Sequence, residues 1–269
     1  MSFSESDPID VVLLTSRLKN TPFAQGEVQY LSTTGSTNDV ARDLAEKGAP
    51  EGTIVIAEAQ TKGRGRLGRT WHSPTGAGLY FSIVLRPRLD PSDLPKITLL
   101  AGTAVAESIE ETIGLHPVIK WPNDLLLAGK KLAGILTELY GDIASPYVIL
   151  GIGINVYTRR EEFLPELQET STSLAMVGGQ DISRADLMQA ILMHLGRWYE
   201  LFKKGAFQPI LDAWRKRCVI IGARVRISSG EKELEGTIVD VDLSGALLLR
   251  DQAGQIRRIL SGEVIRWEK

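Results

Sequence analysis

A single cysteine, Cys218, stands in 269 residues, which excludes a disulfide within the chain and suits a reducing, cytoplasmic setting. The histidines, His72, His116 and His194, are scattered without the ligand spacing of a zinc site. No apolar run approaches the ~18 residues of a membrane span, and the opening MSFSESDPID is too acidic and polar for a signal peptide. A net charge of -2 argues against a general nucleic-acid or membrane-surface role, so neither partner is expected. The phosphate-loop spelling G-x-x-x-x-G-K-[ST] is also missing, as is any internal repeat.

One further absence is local. The chain carries 33 acids against 31 Lys plus Arg, yet no acid lies between Ala59 and Leu89. This gap holds the core of the stretch Glu58 to Trp71, EAQTKGRGRLGRTW. Lys62, Arg64, Arg66 and Arg69 are separated there by Gly63, Gly65 and Gly68, so the backbone can close around a bound group while the guanidinium forks converge on it. The pattern points to an anion, with a flexible basic surface loop as the plainer alternative. The glycines also spell G-x-G-x-x-G, but a dinucleotide fingerprint must open a helix and be followed about twenty residues on by an acid. Here Trp71, Pro74, Gly76 and Gly78 follow, and then Arg86 and Arg88, which excludes a Rossmann site. Like charges on a glycine-rich span predict a loop that stays mobile until an anion neutralises it.

Periodicity predicts a helix over Ile9 to Leu18, a strand at Val28 to Ser32, and a helix capped by Ser36 or Thr37 and ended by Gly48. Strands follow at Thr53 to Ala59 and at Leu79 to Arg86, the second with Leu79, Phe81, Ile83 and Leu85 on one apolar face. A small-residue helix spans Leu94 to Ile113. Strands are then expected at Val118 to Lys120, Asp124 to Leu127, Leu132 to Leu139 and Tyr147 to Asn155, with Ala128-Gly129 as a tight turn. Tyr157 to Asp181 reads as loop, and Arg184 to Lys203 and Phe207 to Arg217 as helices. Beyond Cys218, short strands separated by SSGE, DLSG and DQAG turns describe a small β-barrel. Short turns between successive strands give an α+β fold with a mixed, mainly antiparallel sheet.

A second chemical cluster is KWPNDLLLAGKKLAGIL, Lys120 to Leu136. Pro122 fixes the backbone, and Asn123 and Asp124 offer neighbouring hard oxygens suited to Mg²⁺; alone, the same run is an ordinary turn. Lys131 opens an apolar strand, where its ammonium is either solvated or part of an anion site.

The strings STN (Ser36 to Asn38), GRGRLGR (Gly63 to Arg69), KWPND (Lys120 to Asp124), KLAGIL (Lys131 to Leu136) and GIGIN (Gly151 to Asn155) together resemble biotin protein ligase, in that family's order. The resemblance runs from about Gln29 to the C-terminus. It implies a biotin- and ATP-binding catalytic domain over 29–218 and an SH3-like β-barrel over 219–269. Residues 1–28 are too few for a DNA-binding winged helix, so the monofunctional type is expected. The implied reaction joins biotin to AMP, releases pyrophosphate, and passes biotin to a lysine of a biotin carboxyl carrier protein. A lipoate- or octanoate-transferring enzyme and a non-catalytic biotin sensor are the alternatives, and oligomeric state is open, a homodimer included.

The resemblance also assigns roles. Ser36, Thr37, Asn38, Gln60, Gly63 and Arg64 would surround the ureido ring of biotin, and Gly134, Ile135 and Leu136 its tail. Arg64, Arg66 and Arg69 would hold phosphates, Trp71 would cover the adenylate, and Asn155 would lie near the adenine. Lys131 would bridge the biotin carboxylate and the α-phosphate, making Lys131, Arg66 and Asp124 the catalytic set, with Mg²⁺ on Asp124 and Asn123. Asp124 is also the candidate base for the acceptor lysine, and Arg266 a candidate nucleotide contact.

Overall fold

The carboxylate of Asp10 accepts the amides of Val12 and Leu13 at 2.9 and 3.0 Å, so the first helix, α1, runs Val11–Leu18 and starts after the cap instead of at Ile9. The structure, a computed structural model, describes residues 9–88, 90–142, 145–179, 182–230 and 232–268. Residues 1–8 of the acidic opening, Asp181 and Glu231 of the SSGE turn lie outside the described residues. Ile9, Leu14, Leu18 and Phe23 enter the main hydrophobic core, so this leading segment packs with the sheet that follows it.

Strands β1 (Val28–Leu31) and β2 (Ile54–Ala57) are parallel, joined through helix α2 (Thr37–Glu46). A crossover of this kind is what a parallel pair needs. Strand β3 (Gly78–Leu85) returns antiparallel to β2. Helix α3 (Leu94–Ile113) ends at Gly114, whose φ of 75° is the left-handed cap that glycine adopts without strain. Strands β4 (Val118–Lys120), β5 (Asp124–Leu127), β6 (Lys130–Tyr140) and β7 (Tyr147–Asn155) complete a seven-stranded sheet in the order β1-β2-β3-β7-β6-β5-β4. Every pair but the first is antiparallel. Ala128 and Gly129 both take positive φ, 51° and 77°, which matches the twist of the β5–β6 hairpin.

Both faces of this sheet are covered. Leu79, Phe81, Ile83 and Leu85 do share one face, in the main core with α3, but Val84 on the opposite face is equally buried, packed with Ala41 and Ala45 of α2. Gly102 of α3 faces Ile119 and Ile135 of the sheet, and a Cβ built there would lie at ordinary contact distance, 3.5 and 3.6 Å, from them. Within the stretch read as loop, Ser173 caps a short helix α4 (Leu174–Gly178), too brief to show a helical period in sequence. Helices α5 (Arg184–Lys203) and α6 (Gln208–Arg215) follow, α5 packing along α3.

Strands β8 (Arg224–Ser229), β9 (Lys232–Val241), β10 (Leu247–Arg250), β11 (Ile256–Ile259) and β12 (Glu263–Glu268) form a separate five-stranded antiparallel sheet in the order β11-β10-β9-β8-β12. Val225, Ile227, Ile238, Leu247, Leu249 and Val264 alternate into its core. It is tied to the larger sheet where Trp121, just past β4, donates to Gly245 O at 3.4 Å, which brings β12 to the mouth of the main domain.

Where α3 meets α5, Glu107 accepts from His194 at 3.1 Å, Arg197 at 2.6 Å and Trp198 at 2.8 Å, and the other ring nitrogen of His194 lies 2.7 Å from Glu111. The hydrogen bond to Glu107 raises the pKa of His194, against an opposing effect of burial and with help from Glu111. A histidine raised on folding adds stability that is complete below its unfolded pKa of about 6.5 and is lost as pH rises through the folded value. His194→Gln should therefore cost more stability near pH ~6 than near pH ~8.5, read from urea unfolding at each pH. A cost that grows with pH instead would mean that the charged imidazole is not the stabilising form.

Candidate ligand-binding site

On the α2 face of the main sheet, two rows of cross-strand neighbours are notched by glycines. One row is Tyr80, Gly153 and Gly134, and the next is Ser82, Gly151 and Leu136. Helix α2 covers the sheet beyond these rows and stops with its N-terminus, Ser36 to Asn38, above them. The missing side chains leave a cavity of about 500 Å³, closed on its other sides by the basic loop, by β5 and β6, and by β12.

One wall is polar and belongs to α2 and the loop. Ser36 holds the N-cap position but makes no side-chain cap; it and Thr37 are buried against the cavity, so the hydroxyls expected to cap the helix do other work. Gln60 Oε1 accepts the Thr37 amide at 2.8 Å and lies 3.1 Å from Thr37 Oγ1, while Gln60 Nε2 donates to Ser73 Oγ at 2.9 Å. Arg64 pairs with Glu138 at 2.7 Å and Asp39 at 3.2 Å. Gly63 stands behind the wall, where a Cβ would come within 2.5 Å of Trp71 O.

The opposite side is cationic. Arg66 donates to Asn123 Oδ1 at 3.0 Å and to Gly262 O at 3.4 Å, and burial lowers its pKa. Arg69 makes a two-pronged pair with Glu263, which raises the pKa of the guanidinium and lowers that of the carboxylate. Lys131 Nζ lies 2.7 Å from Asp124 Oδ1 and 5.6 Å from the Trp71 ring. Lys120 faces the Trp267 ring at 5.0 Å, its pKa lowered by burial. Of the loop cations expected to repel one another, Arg64 and Arg69 are thus paired with carboxylates remote in sequence, and Arg66 is held by neutral oxygens.

Of the residues given a ligand, metal or catalytic role from sequence, all but Gly63 and Arg266 line this one cavity; Lys62 of the basic loop does not. Ile135 gives it mainly backbone, since its side chain packs toward α3. Asn155 is buried, its amide donating to Thr172 O at 3.0 Å. Arg266 is turned away: it is 73% exposed on its side chain and paired with Glu268 at 2.6 Å. The irregular register of β12 between Val264 and Arg266 turns other residues of that strand, Glu263 and Trp267, to the cavity. Those two carry no local signal in the sequence. Lys120 was within reach, as the first letter of KWPND.

Asn123 is engaged in this arrangement: its oxygen receives Arg66 at 3.0 Å and its amide donates to Ile135 O at 3.0 Å. Asp124 differs. Its buried Oδ1 has the Lys131 ammonium 2.7 Å away, so this carboxylate is held at the cavity by a cation that a bound group could draw off. Among the described residues no group of three or more His, Cys, Asp or Glu side chains could hold a metal ion. The donor set fits a Mg²⁺ carried in on phosphates and touched by one carboxylate, and does not fit an all-protein cage.

The sequence matches the Biotin/lipoate A/B protein ligase family over residues 30–155 and the Biotin protein ligase C terminal domain over residues 220–267. It is 40% identical over 238 residues to the bifunctional ligase/repressor BirA of Bacillus spizizenii, covering 87% of this chain and 72% of that protein. It is 34% identical to the biotin–[acetyl-CoA-carboxylase] ligase of Mycobacterium tuberculosis, covering 96% of both. Among solved structures, the biotin protein ligase from Aquifex aeolicus in complex with biotin and ATP superposes with a TM-score of 0.77 at 33% identity, covering 90% of this chain and 97% of that one.

The Trp71 ring rests on the glycine row: a Cβ at Gly153 would lie 2.5 Å from its Nε1, and one at Gly134 3.0 Å from its Cζ3. Gly153→Ala should therefore push the indole off the sheet and toward water. The emission of Trp71, isolated by subtracting the spectrum of a Trp71→Phe protein in each background, should shift to the red. An unchanged spectrum would show that the ring does not lie on Gly153.

Proposed function

The chain belongs to the Biotin/lipoate A/B protein ligase family, and from that premise we propose that it is a biotin–protein ligase which makes biotinyl-5′-AMP from biotin and ATP and transfers biotin to a lysine of a biotin carboxyl carrier protein. The observation that carries this reading is the division of one cavity into a polar wall, a glycine-floored trough and a cluster of cations. Those are the needs of a ureido ring, an aliphatic tail and a triphosphate, in the order in which biotin and ATP must meet.

Thr37, Gln60 and the Arg64 backbone suit the donors and carbonyl of the ureido ring, with Ser36 and Asn38 beside them and Gly63 supporting the wall from behind. The tail takes the trough over Gly134 and Leu136. Because Trp71 rests in that trough, it must lift for the tail to enter, and it then becomes the cover of the adenylate. One biotin carboxylate oxygen attacks the α-phosphorus as the bond to pyrophosphate breaks, and negative charge grows on the phosphate oxygens and the leaving group. Lys131 meets that charge between carboxylate and α-phosphate, and Arg66 and Arg69 hold the outgoing phosphates. Arg69 must exchange Glu263 for phosphate to do so. Mg²⁺, when bound with the triphosphate beside Asp124, would neutralise charge on the leaving pyrophosphate.

In the second step the acceptor amine attacks the acyl carbon and AMP leaves. A lysine of pKa about 10.4 arrives protonated, and Asp124, freed once pyrophosphate has gone, is the cavity carboxylate placed to take the proton. A reducing cytoplasm is the setting in which such a carrier and ATP occur together. The direct test is incorporation of labelled biotin into a carrier domain with and without ATP. Incorporation of lipoate in preference to biotin would overturn the assignment.

Lys131→Ala should slow pyrophosphate release about 10²- to 10³-fold, the usual worth of a preorganised charge at the reacting oxygens, and a loss under about threefold would make it a surface lysine. Asp124→Ala should abolish most Mg²⁺-dependent adenylation. Near-normal adenylation in that variant at saturating Mg²⁺ would remove the carboxylate from the first step.

A further inference from the structure

Glu138 lies on β6 in the same cross-strand row as Ile149 and Val84, one row behind the cavity. Neither it nor Ser82 lines the cavity, yet the polar wall hangs on them. A single oxygen of Glu138 accepts from Arg64 Nη2 and from Asn38 Nδ2, both at 2.7 Å. Asn38 Oδ1 in turn lies 2.6 Å from Ser82 Oγ, and Ser82 Oγ lies 2.8 Å from Thr37 Oγ1. Ser82 is wholly buried, so these are its partners and water does not substitute for them.

We propose that Glu138 is a positioning residue that fixes the donor–acceptor polarity of the wall facing the ureido ring, an inference that rests on the biotin reading above. A carboxylate can only accept, so Asn38 must turn its amide nitrogen to Glu138 and its oxygen to Ser82. That oxygen can only accept as well, and it takes the one proton of Ser82. The Ser82–Thr37 contact is then made with the proton of Thr37, whose other neighbour, Gln60 Oε1, is also an acceptor. In either case the Thr37 proton is spent on the protein, and what Thr37 turns to the cavity is lone pairs, matched to a ligand N–H. Without the carboxylate, Asn38 can reverse, Ser82 can give its proton to Thr37, and a lone pair meant for the ligand is filled.

The experiment is calorimetric titration of biotin, with separate KM values for biotin and ATP, on wild type, Glu138→Gln, Glu138→Met and Glu138→Met/Asn38→Asp. Glu138→Met should weaken biotin about tenfold, the scale of one misdirected buried hydrogen bond, with the ATP KM and kcat of adenylation little changed. Glu138→Gln should keep most of the affinity, because Arg64 can only donate and holds the amide oxygen where the carboxylate oxygen was. Asn38→Asp in the Glu138→Met background should recover most of the loss, since an aspartate at that position accepts from Ser82 without help. A purely structural role would leave the double variant as weak as the single one, and that result, or wild-type affinity in Glu138→Met, overturns the inference. If Glu138→Met does not fold, Ser82→Ala serves: it leaves the Arg64–Glu138–Asn38 group intact and cuts the relay, so unaltered biotin affinity there overturns it too. A wild-type protein that binds no biotin would overturn the functional reading and this inference together, and would be seen before any substitution is made.

Discussion

Four cations, Arg66, Arg69, Lys120 and Lys131, are gathered around a partly buried cavity, and their mutual repulsion is the constraint that the rest of the site answers. Two like charges about 4 Å apart at a protein surface repel by about 4 kcal/mol, so a ligand-free cluster of this kind needs counter-charge from the protein. Asp124 lies against Lys131, Glu263 against Arg69, and Asn123 with the Gly262 carbonyl against Arg66. These partners are oxygen ligands of the kind a phosphate would replace. Oxygens thus already surround these cations, and a phosphate group entering the cavity would exchange one set of oxygens for another.

The same arrangement explains why the small C-terminal sheet sits where it does. The two sheets share one hydrophobic core, joined also by Trp121 and Gly245, and β12 supplies both a carboxylate and an aromatic face, Glu263 and Trp267, to cations of the main domain. A polypeptide ending before β12 would leave Arg69 and Lys120 without these neighbours. The sheet beneath contributes by omission. At Gly134, Gly151 and Gly153 the strands stay paired while presenting no side chain, so a ligand trough is cut into a close-packed face without loss of backbone hydrogen bonding.

Much of this was legible in the order of residues. Alternation and turn signals located the strands, the Ala128-Gly129 turn and the long helices, because those depend on neighbours a few residues apart. The strings around Ser36, Gly63, Lys120, Lys131 and Gly151 named most of the cavity lining, because each string is a contiguous piece of chain that a strand end or loop carries to the same place. The short helix α4 leaves no periodic signal because five residues hold barely more than one turn, and α1 starts later than the apolar run suggests because the capping aspartate lies inside that run.

What the sequence determined by itself was the inventory: a basic glycine-rich loop without acids, a run of small residues on two strands, and one carboxylate beside a lysine strand. Only the tertiary structure decided which charges oppose which. Arg64 and Glu138 stand 74 residues apart and Arg69 and Glu263 stand 194 apart, so no local pattern could pair them. It also decided that Asn123 serves Arg66, that Trp71 rests on the glycine row, and that Arg266 points away while its neighbours turn inward. The reason is physical: secondary structure follows from short-range periodicity, whereas the polarity and charge balance of a site depend on distances that exist only after the sheets have packed together.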